Sequence, residues 1–275
     1  YDAKTSQKIF ATIMPLVALS PALAPLLGAT LQAHYGWSAI FFTLIGLGVF
    51  LASRTLDVDF PRHKNIEESA EKRVSILTNY LNILKSKKFL ANMMVFAGCS
   101  GAFFAWLAGS PFVMTEMGYS GTDIGLSYVP QTIAFLIGGF GCRALLNKYE
   151  TTVILPKLQA IFTLSVIAMF IVAVQFTTTS IIPLLVPLCF LALANGAIYP
   201  IVVNQALSGF RNNSASAAGL LNFLQMMFCV ISSAIVSAFN TPTAITGTML
   251  ISVAVVMLAG HMLKKENATP ELAAA

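Results

Sequence analysis

The sequence predicts an all-α membrane protein that crosses the bilayer eight times, on three observations. First, hydrophobic residues make up 57% of the 275-residue chain and charged residues only 10%, with a mean hydropathy of +0.79. Soluble domains carry roughly 25% charged residues, so this chain cannot clothe a water-facing surface and needs lipid as its solvent. Second, apolar stretches near the ~20 residues required to span hydrocarbon recur along the whole length. Third, the bases avoid those stretches: all sixteen Lys and Arg lie in connections or near segment ends.

The eight stretches are Ile9–Ala33, Ser38–Ser53, Phe89–Thr115, Ser120–Leu146, Thr152–Phe176, Ile181–Leu207, Ser214–Phe239 and Pro242–Leu263. The second is short and is expected to extend one turn, into Arg54. Prolines inside them (Pro21, Pro25, Pro130, Pro187, Pro200) are tolerated in membrane helices because packed neighbours satisfy the freed backbone groups. Lys4 and Lys8 precede the first stretch, and the segment Arg54 to Lys88 holds eight of the sixteen bases. Arg143, Lys148 and Lys157 surround the turn between the fourth and fifth stretches, Arg211 follows the sixth, and Lys264 and Lys265 follow the eighth. The remaining four connections contain no Lys or Arg. This asymmetry predicts that both termini are cytoplasmic.

The bases therefore report topology, and the net charge of +5 does not indicate a nucleic-acid partner. Catalysis has no foundation either. His34, His63 and His261 lie in loops or at membrane ends, and no Ser/His/acid set, Cys/His set or HExxH motif is present. Cys99, Cys142, Cys189 and Cys229 are scattered singly, without metal-ligand spacing, and read as small packed thiols. Neither a cofactor nor a metal is expected.

The stretches fall into four regions. Residues 1–54 hold the first two, 55–88 form a charged linker, 89–265 hold six more, and 266–275 are a polar, alanine-rich tail. In the linker Leu77, Tyr80, Leu81 and Leu84 fall at i, i+3, i+4, i+7, followed by Lys85, Lys87 and Lys88, the pattern of an amphipathic helix. It either lies on the inner leaflet or touches the cytoplasmic ends of neighbouring helices. The six-stretch region contains a weak repeat: Gly125, Leu126, Tyr128 and Gln131 match Gly219, Leu220, Asn222 and Gln225. Trp106 and Asn195 each stand five residues before a proline, Pro111 and Pro200. With three stretches starting inside and three outside, the expectation is the three-plus-three inverted repeat found in secondary transporters.

Unpaired polar groups are costly in hydrocarbon, so polar residues near helix midpoints should face a cavity or another helix. Ser100, Phe103, Phe104 and Trp106 lie mid-way along the third stretch, Tyr128 and Gln131 on the fourth, Asn195 and Tyr199 on the sixth, and Asn222 and Gln225 on the seventh. Their i, i+3 and i, i+4 spacings put each pair on one helix face. Phe103, Trp106, Tyr128, Gln131, Asn195, Tyr199, Asn222 and Gln225 are thus the candidate substrate-binding residues, and interhelical packing is the other role open to each. Aromatic plates beside neutral hydrogen-bonding groups suit a planar, uncharged or weakly charged organic molecule. The fifth and eighth stretches show no such stripe and are expected to be lipid-facing flanks. No carboxylate occupies a mid-membrane position: Glu116 and Asp123 flank the outer turn between the third and fourth stretches, and every other acid is placed in the cytoplasm.

The first stretch carries Ser20, Pro21, Ala24, Pro25, Gly28 and Ala29, followed by Gly36, Trp37 and Phe41. This pattern resembles the antiporter signature in the fifth helix of major-facilitator drug exporters, with Ser20, Ala24 and Ala29 in place of three of its glycines. Further motifs run from Phe104 and Trp106 to Pro111, from Glu116 to Ser120, from Ile124 to Gln131 with Gly138 and Gly139, and from Ala194 to Pro200. They resemble the bicyclomycin/chloramphenicol-resistance (Bcr/CflA) subfamily, and especially its purine ribonucleoside exporter branch. The resemblance implies a major-facilitator fold of twelve helices in a bacterial inner membrane, these eight being the fifth to the twelfth, with four further helices upstream of Tyr1. It implies proton-coupled efflux of small organic molecules, purine nucleosides or drugs such as bicyclomycin or chloramphenicol, by alternating access. The coupling residues would lie in those upstream helices, and the antiporter-motif residues at the seam between two six-helix domains. An uncoupled facilitator and a receptor-like membrane protein without a transport cycle are the alternatives.

Overall fold

In hydrocarbon the backbone must bond to itself, and among the described residues every regular element is helical. The computed structural model describes residues 24, 27–56, 76–146, 148–175, 180–210, 213–239 and 241–273. The elements are α1 (Ser38–Leu56), α2 (Ile76–Lys85), α3 (Lys87–Glu116), α4 (Gly121–Leu146), α5 (Thr151–Gln175), α6 (Ile182–Leu207), α7 (Ser214–Phe239) and α8 (Pro242–Ala273). Seven of these, all but α2, contain a span long and apolar enough to cross a membrane. The extension of α1 past Ser53 agrees with the sequence. The first apolar stretch falls largely outside the described residues. Its described end is helical over 27–35 and stops at Gly36, whose φ of 79° suits glycine and whose N–H bonds the Gln32 carbonyl at 3.1 Å.

The turn between α3 and α4 shows how local chemistry sets the boundaries. Gly118, at φ 88°, ends α3. Tyr119 N–H reaches back to the Met114 carbonyl at 3.0 Å and Gly118 N–H to Thr115 at 3.0 Å, the paired bonds of a Schellman motif. Two residues later Ser120 starts α4 through a reciprocal cap. Its N–H and hydroxyl donate to Asp123 Oδ2 at 3.0 and 2.6 Å, and Asp123 N–H returns a bond to Ser120 Oγ at 3.2 Å. Asp123 is thereby a capping group at a helix end.

The amphipathic helix packs onto protein. Ile83 of α2 is buried and Tyr80 and Leu84 are half-buried against α3 and α7, while Leu81 points outward, 49% exposed. The buried stripe therefore runs through Tyr80, Ile83 and Leu84, rotated from the expected stripe that included Leu81. Asn213 Nδ2 donates to Asn79 Oδ1 at 3.0 Å, tying α2 to the start of α7, and Phe89 at the start of α3 meets Phe210 edge-to-face at 5.8 Å.

Helix α3 is the axis of the six-helix region, with broad contacts to α8, α7 and α6. Small residues allow this closeness. A Cβ on Gly98 would meet Val256 of α8, one on Gly101 would meet Phe228 of α7, and one on Gly109 would meet both Ile245 of α8 and Val236 of α7. The other broad pairings are α4 with α6, α5 with α6, and α5 with α8. Exchanging α3 with α6, α4 with α7 and α5 with α8 maps these six pairings onto themselves. The expectation of a lipid-facing flank is corrected for the eighth stretch: α8 lies along α3, with Thr246, Thr248 and Ser252 buried. Their hydroxyls bond carbonyls of the same helix, so they read as polar in sequence but pack as small apolar groups. None of α1 is buried among the described residues.

Candidate functional site

The seam between α3, α4 and α6 gathers most of the polar residues singled out in the sequence. One end is marked by a buried hydrogen bond, 2.9 Å, between Ser110 Oγ of α3 and Tyr128 OH of α4. Trp106 lies four residues before Ser110 and Gln131 three after Tyr128, on the same helix faces as those two residues. At 1.5 Å rise per residue they lie ~6 and ~4.5 Å along their helices from the Ser110–Tyr128 bond, so Trp106 and Gln131 stand at similar height. Further along α3, the Cys99 carbonyl accepts a bond from Asn195 Nδ2 of α6 at 3.2 Å. Ser100 Oγ donates to Tyr199 OH at 3.1 Å. The Tyr199 ring meets Phe96 of α3 at 5.0 Å and Phe135 of α4 at 5.7 Å, both edge-on. From Ser110 to Ser100 this column of hydroxyls, amides and rings runs ~15 Å along α3.

The helices come together through glycine. A Cβ on Gly138 of α4 would strike the Leu193 carbonyl of α6, and one on Gly196 would strike the Phe135 carbonyl in return. This double backbone contact lies one residue from Asn195 and one turn from Gln131. The motif glycines Gly138 and Gly139 thus set the height and closeness at which the polar residues meet.

Within the seam several buried polar atoms have no hydrogen-bond partner: Trp106 Nε1, both carboxamide atoms of Gln131, and Asn195 Oδ1. Trp106, Gln131 and Asn195 are each at most 2% exposed. An unsatisfied buried donor or acceptor costs about 1–3 kcal/mol, and such groups are rare in native interiors. The gap beside Trp106, lined by Ser110, Val113, Leu184 and Ile245, is too narrow for a water molecule. These side chains are packed together here rather than spread around an open chamber. Every buried polar side chain among the described residues is neutral.

Other expected residues lie elsewhere. Gln225 is buried on α7, its Nε2 reaching Cys229 Sγ of the same helix at 4.0 Å. Asn222 is exposed and donates to the Ala218 carbonyl one turn back at 3.0 Å. Phe103 is half-exposed, edge-on to Phe104 at 6.3 Å. Of the antiporter-motif residues, Ser20, Pro21 and Pro25 lie outside the described residues. Ala24 is exposed, Gly28 and Ala29 are half-exposed, and nothing described lies within 4 Å of a Cβ built on Gly28. Sequence reasoning missed Ser110, Phe96 and Phe135. Ser110 is i+4 from Trp106 and Phe135 is i+4 from Gln131, so helical spacing alone could have found those two.

Comparison with known proteins agrees with this architecture. The chain is similar to an uncharacterized MFS-type transporter, YdgK, of Bacillus subtilis (24% identity over 278 residues, 97% of this chain and 67% of that protein). It is also similar to a bicyclomycin resistance protein homolog of Haemophilus influenzae (23% over 264 residues, 94% and 66%). A chloramphenicol resistance protein of Pseudomonas aeruginosa matches over a shorter segment (31% over 132 residues, 47% and 29%). The chain spans about two thirds of the length of the first two. The profile for the Major Facilitator Superfamily matches residues 3–233, most of the chain. With seven helices among the described residues long and apolar enough to span a membrane, and this family match, the chain is a multi-pass membrane protein that belongs to the Major Facilitator Superfamily.

Proposed function

We propose that the chain is part of a proton-coupled exporter of small, uncharged organic molecules, working by alternating access across a bacterial inner membrane. The observation that carries this reading is the cluster of buried, unpartnered and neutral polar atoms on Trp106, Gln131 and Asn195. A packed interior holds such atoms apart at a standing cost, and a ligand with its own donors and acceptors removes that cost when it enters. Gln131 offers two N–H donors and a carbonyl acceptor, Trp106 one N–H donor and Asn195 one carbonyl acceptor. Such a set complements a neutral amide, lactam or heterocyclic edge and offers no counter-charge to a cation. The relatives named for bicyclomycin and chloramphenicol resistance support drugs as the substrate class, and the motif resemblance adds purine nucleosides.

In this reading residues 89–265 form a six-helix domain built as a three-plus-three inverted repeat, supported by the exchange symmetry of its helix pairings. Residues 1–54 belong to the partner domain, with Pro21, Pro25 and Gly28 at the seam. Both termini and the linker face the cytoplasm, as the distribution of Lys and Arg supports. Substrate entry requires α4 to part from α3 and α6, because the unpartnered atoms are sealed in the packed state.

The test is efflux by cells carrying the full-length protein. Asn195→Ala should reduce export far more than Ser165→Ala, since Ser165 sits on α5 with its hydroxyl bonded to the Ile161 carbonyl. Equal loss in both variants refutes the seam as substrate site. In liposomes, flux that collapses with a protonophore supports proton coupling, and flux indifferent to the pH gradient identifies an uncoupled facilitator.

A further inference from the structure

The elbow between α2 and α3 concentrates positive charge at one end of a spanning helix. Helix α2 ends at Lys85, and Ser86 turns the chain in a single extended residue (φ −71°, ψ 111°), its hydroxyl accepting from Phe89 N–H at 3.3 Å. Lys85, Lys87 and Lys88 therefore crowd into four positions, and all three are exposed. No acid occurs in α2 or in the first turn of α3. None of the three ammonium groups has a partner among the described residues.

The docking of α2 decides which way the elbow faces. Its Tyr80–Ile83–Leu84 stripe is buried on α3 and α7, and the Asn79–Asn213 hydrogen bond locks the helix about its axis. The opposite face, carrying Leu81 and, one turn on, Lys85, is left outward. An exposed apolar side chain thus lies one turn from Lys85, in a cluster of three cations without partners among the described residues, just before the apolar span of α3 begins at Phe89. Lysines at such a boundary extend their stems along apolar surface and keep their charge among headgroups.

We infer that this elbow binds an anionic phospholipid, its phosphate held by Lys85, Lys87 and Lys88 and its acyl chain running beside Leu81. The inference rests on the topology given above, which faces the elbow to the cytoplasmic leaflet. Each lysine near an anionic surface contributes about fivefold in affinity at low ionic strength, so removing three should cost on the order of 100-fold, less at high salt.

The experiment uses the full-length protein in nanodiscs of phosphatidylethanolamine and phosphatidylglycerol, with lipids retained after mild extraction quantified by native mass spectrometry. The wild type should retain phosphatidylglycerol in preference to phosphatidylethanolamine. Lys85→Gln/Lys87→Gln/Lys88→Gln should lose that preference, while Arg143→Gln/Lys148→Gln, on another turn, should keep it. Leu81→Ser should weaken retention without abolishing it. Undiminished preference in the triple variant, with its elution and melting unchanged, overturns the site. Displacement of the lipid by millimolar inorganic phosphate also overturns it, by identifying a free-anion site with no acyl contribution. Side-selective labelling of Lys88→Cys separates the two readings. Inner-face labelling without lipid preference overturns the site alone, whereas lipid preference with outer-face labelling retains the lipid contact and overturns the topology.

Discussion

The tightest constraint in the molecule is the α4–α6 crossing, and Gly138→Ala tests it directly. In an unconstrained helix, Gly→Ala stabilises by about 0.5–1 kcal/mol through backbone entropy. At Gly138 the added methyl strikes the Leu193 carbonyl, a backbone group that no rotamer change can move aside. The helices must separate, and overpacking of this kind costs typically ~1–3 kcal/mol or more. Gly141, three residues along the same helix, has nothing within 4 Å of the same position, so Gly141→Ala should gain the entropic term alone. The entropic term is common to both, so the two variants should differ by the overpacking cost, about 1–3 kcal/mol, or ~2–12 °C in melting temperature at a few degrees per kcal/mol for a chain of this size. Gly196→Ala, which meets the Phe135 carbonyl, should resemble Gly138→Ala. Because both act on one crossing, the double variant should cost less than the sum, since helices already parted by one methyl accommodate the second. Thermal unfolding in a single detergent, followed by circular dichroism, is sufficient. Equal melting of Gly138→Ala and Gly141→Ala, or strict additivity of the double variant, would refute this packing.

Three further outcomes follow from the same geometry. Gln131→Leu removes two unpartnered atoms from a buried site, so it should leave melting unchanged or raised while lowering substrate affinity at least tenfold by equilibrium binding; a loss of stability with affinity retained would make Gln131 a structural residue. Ser120→Ala deletes the reciprocal cap with Asp123 and should destabilise by about 0.5–2 kcal/mol in the same melting assay without altering binding; no change would mean that the cap contributes nothing. Tyr199→Phe removes the partner of the Ser100 hydroxyl but keeps both ring contacts, so melting should fall by only about 0.5–1.5 kcal/mol, whereas Tyr199→Ala should cost several-fold more; equal losses would deny the rings their role.

The helices were legible because lipid leaves the backbone few choices, and length with apolarity locates a span to within a turn. Asn195 and Gln131 were legible as well, since an amide in hydrocarbon needs a reason. What could not be read was direction. Asn222 and Gln225 share a helix face by spacing, yet Asn222 is exposed and Gln225 buried, because the crossing of α7 over α3 sets the boundary between them. The rotation of α2 escaped for a similar reason: Leu81 and Ile83 are equally apolar, and only the docking surface chose Ile83. Helix α8 was read as a flank for want of an amide or aromatic stripe, yet it packs on α3 through Thr and Ser whose hydroxyls bond their own helix.

The neutrality of the seam bears on how such a protein changes over generations. Removing one partner from a buried ion pair strands the other charge, at about 3–5 kcal/mol, and confines substitution to coordinated pairs. Amides, hydroxyls and an indole carry no such obligation. Exchanging one neutral polar group for another at Gln131, Asn195 or Ser110 costs on the order of 1 kcal/mol, within the reserve of most folded proteins. Each position can therefore vary alone, while the glycine crossing beneath holds the frame. For the exporter proposed above, single substitutions would then shift the range of compounds accepted, with no unstable intermediate between one specificity and the next.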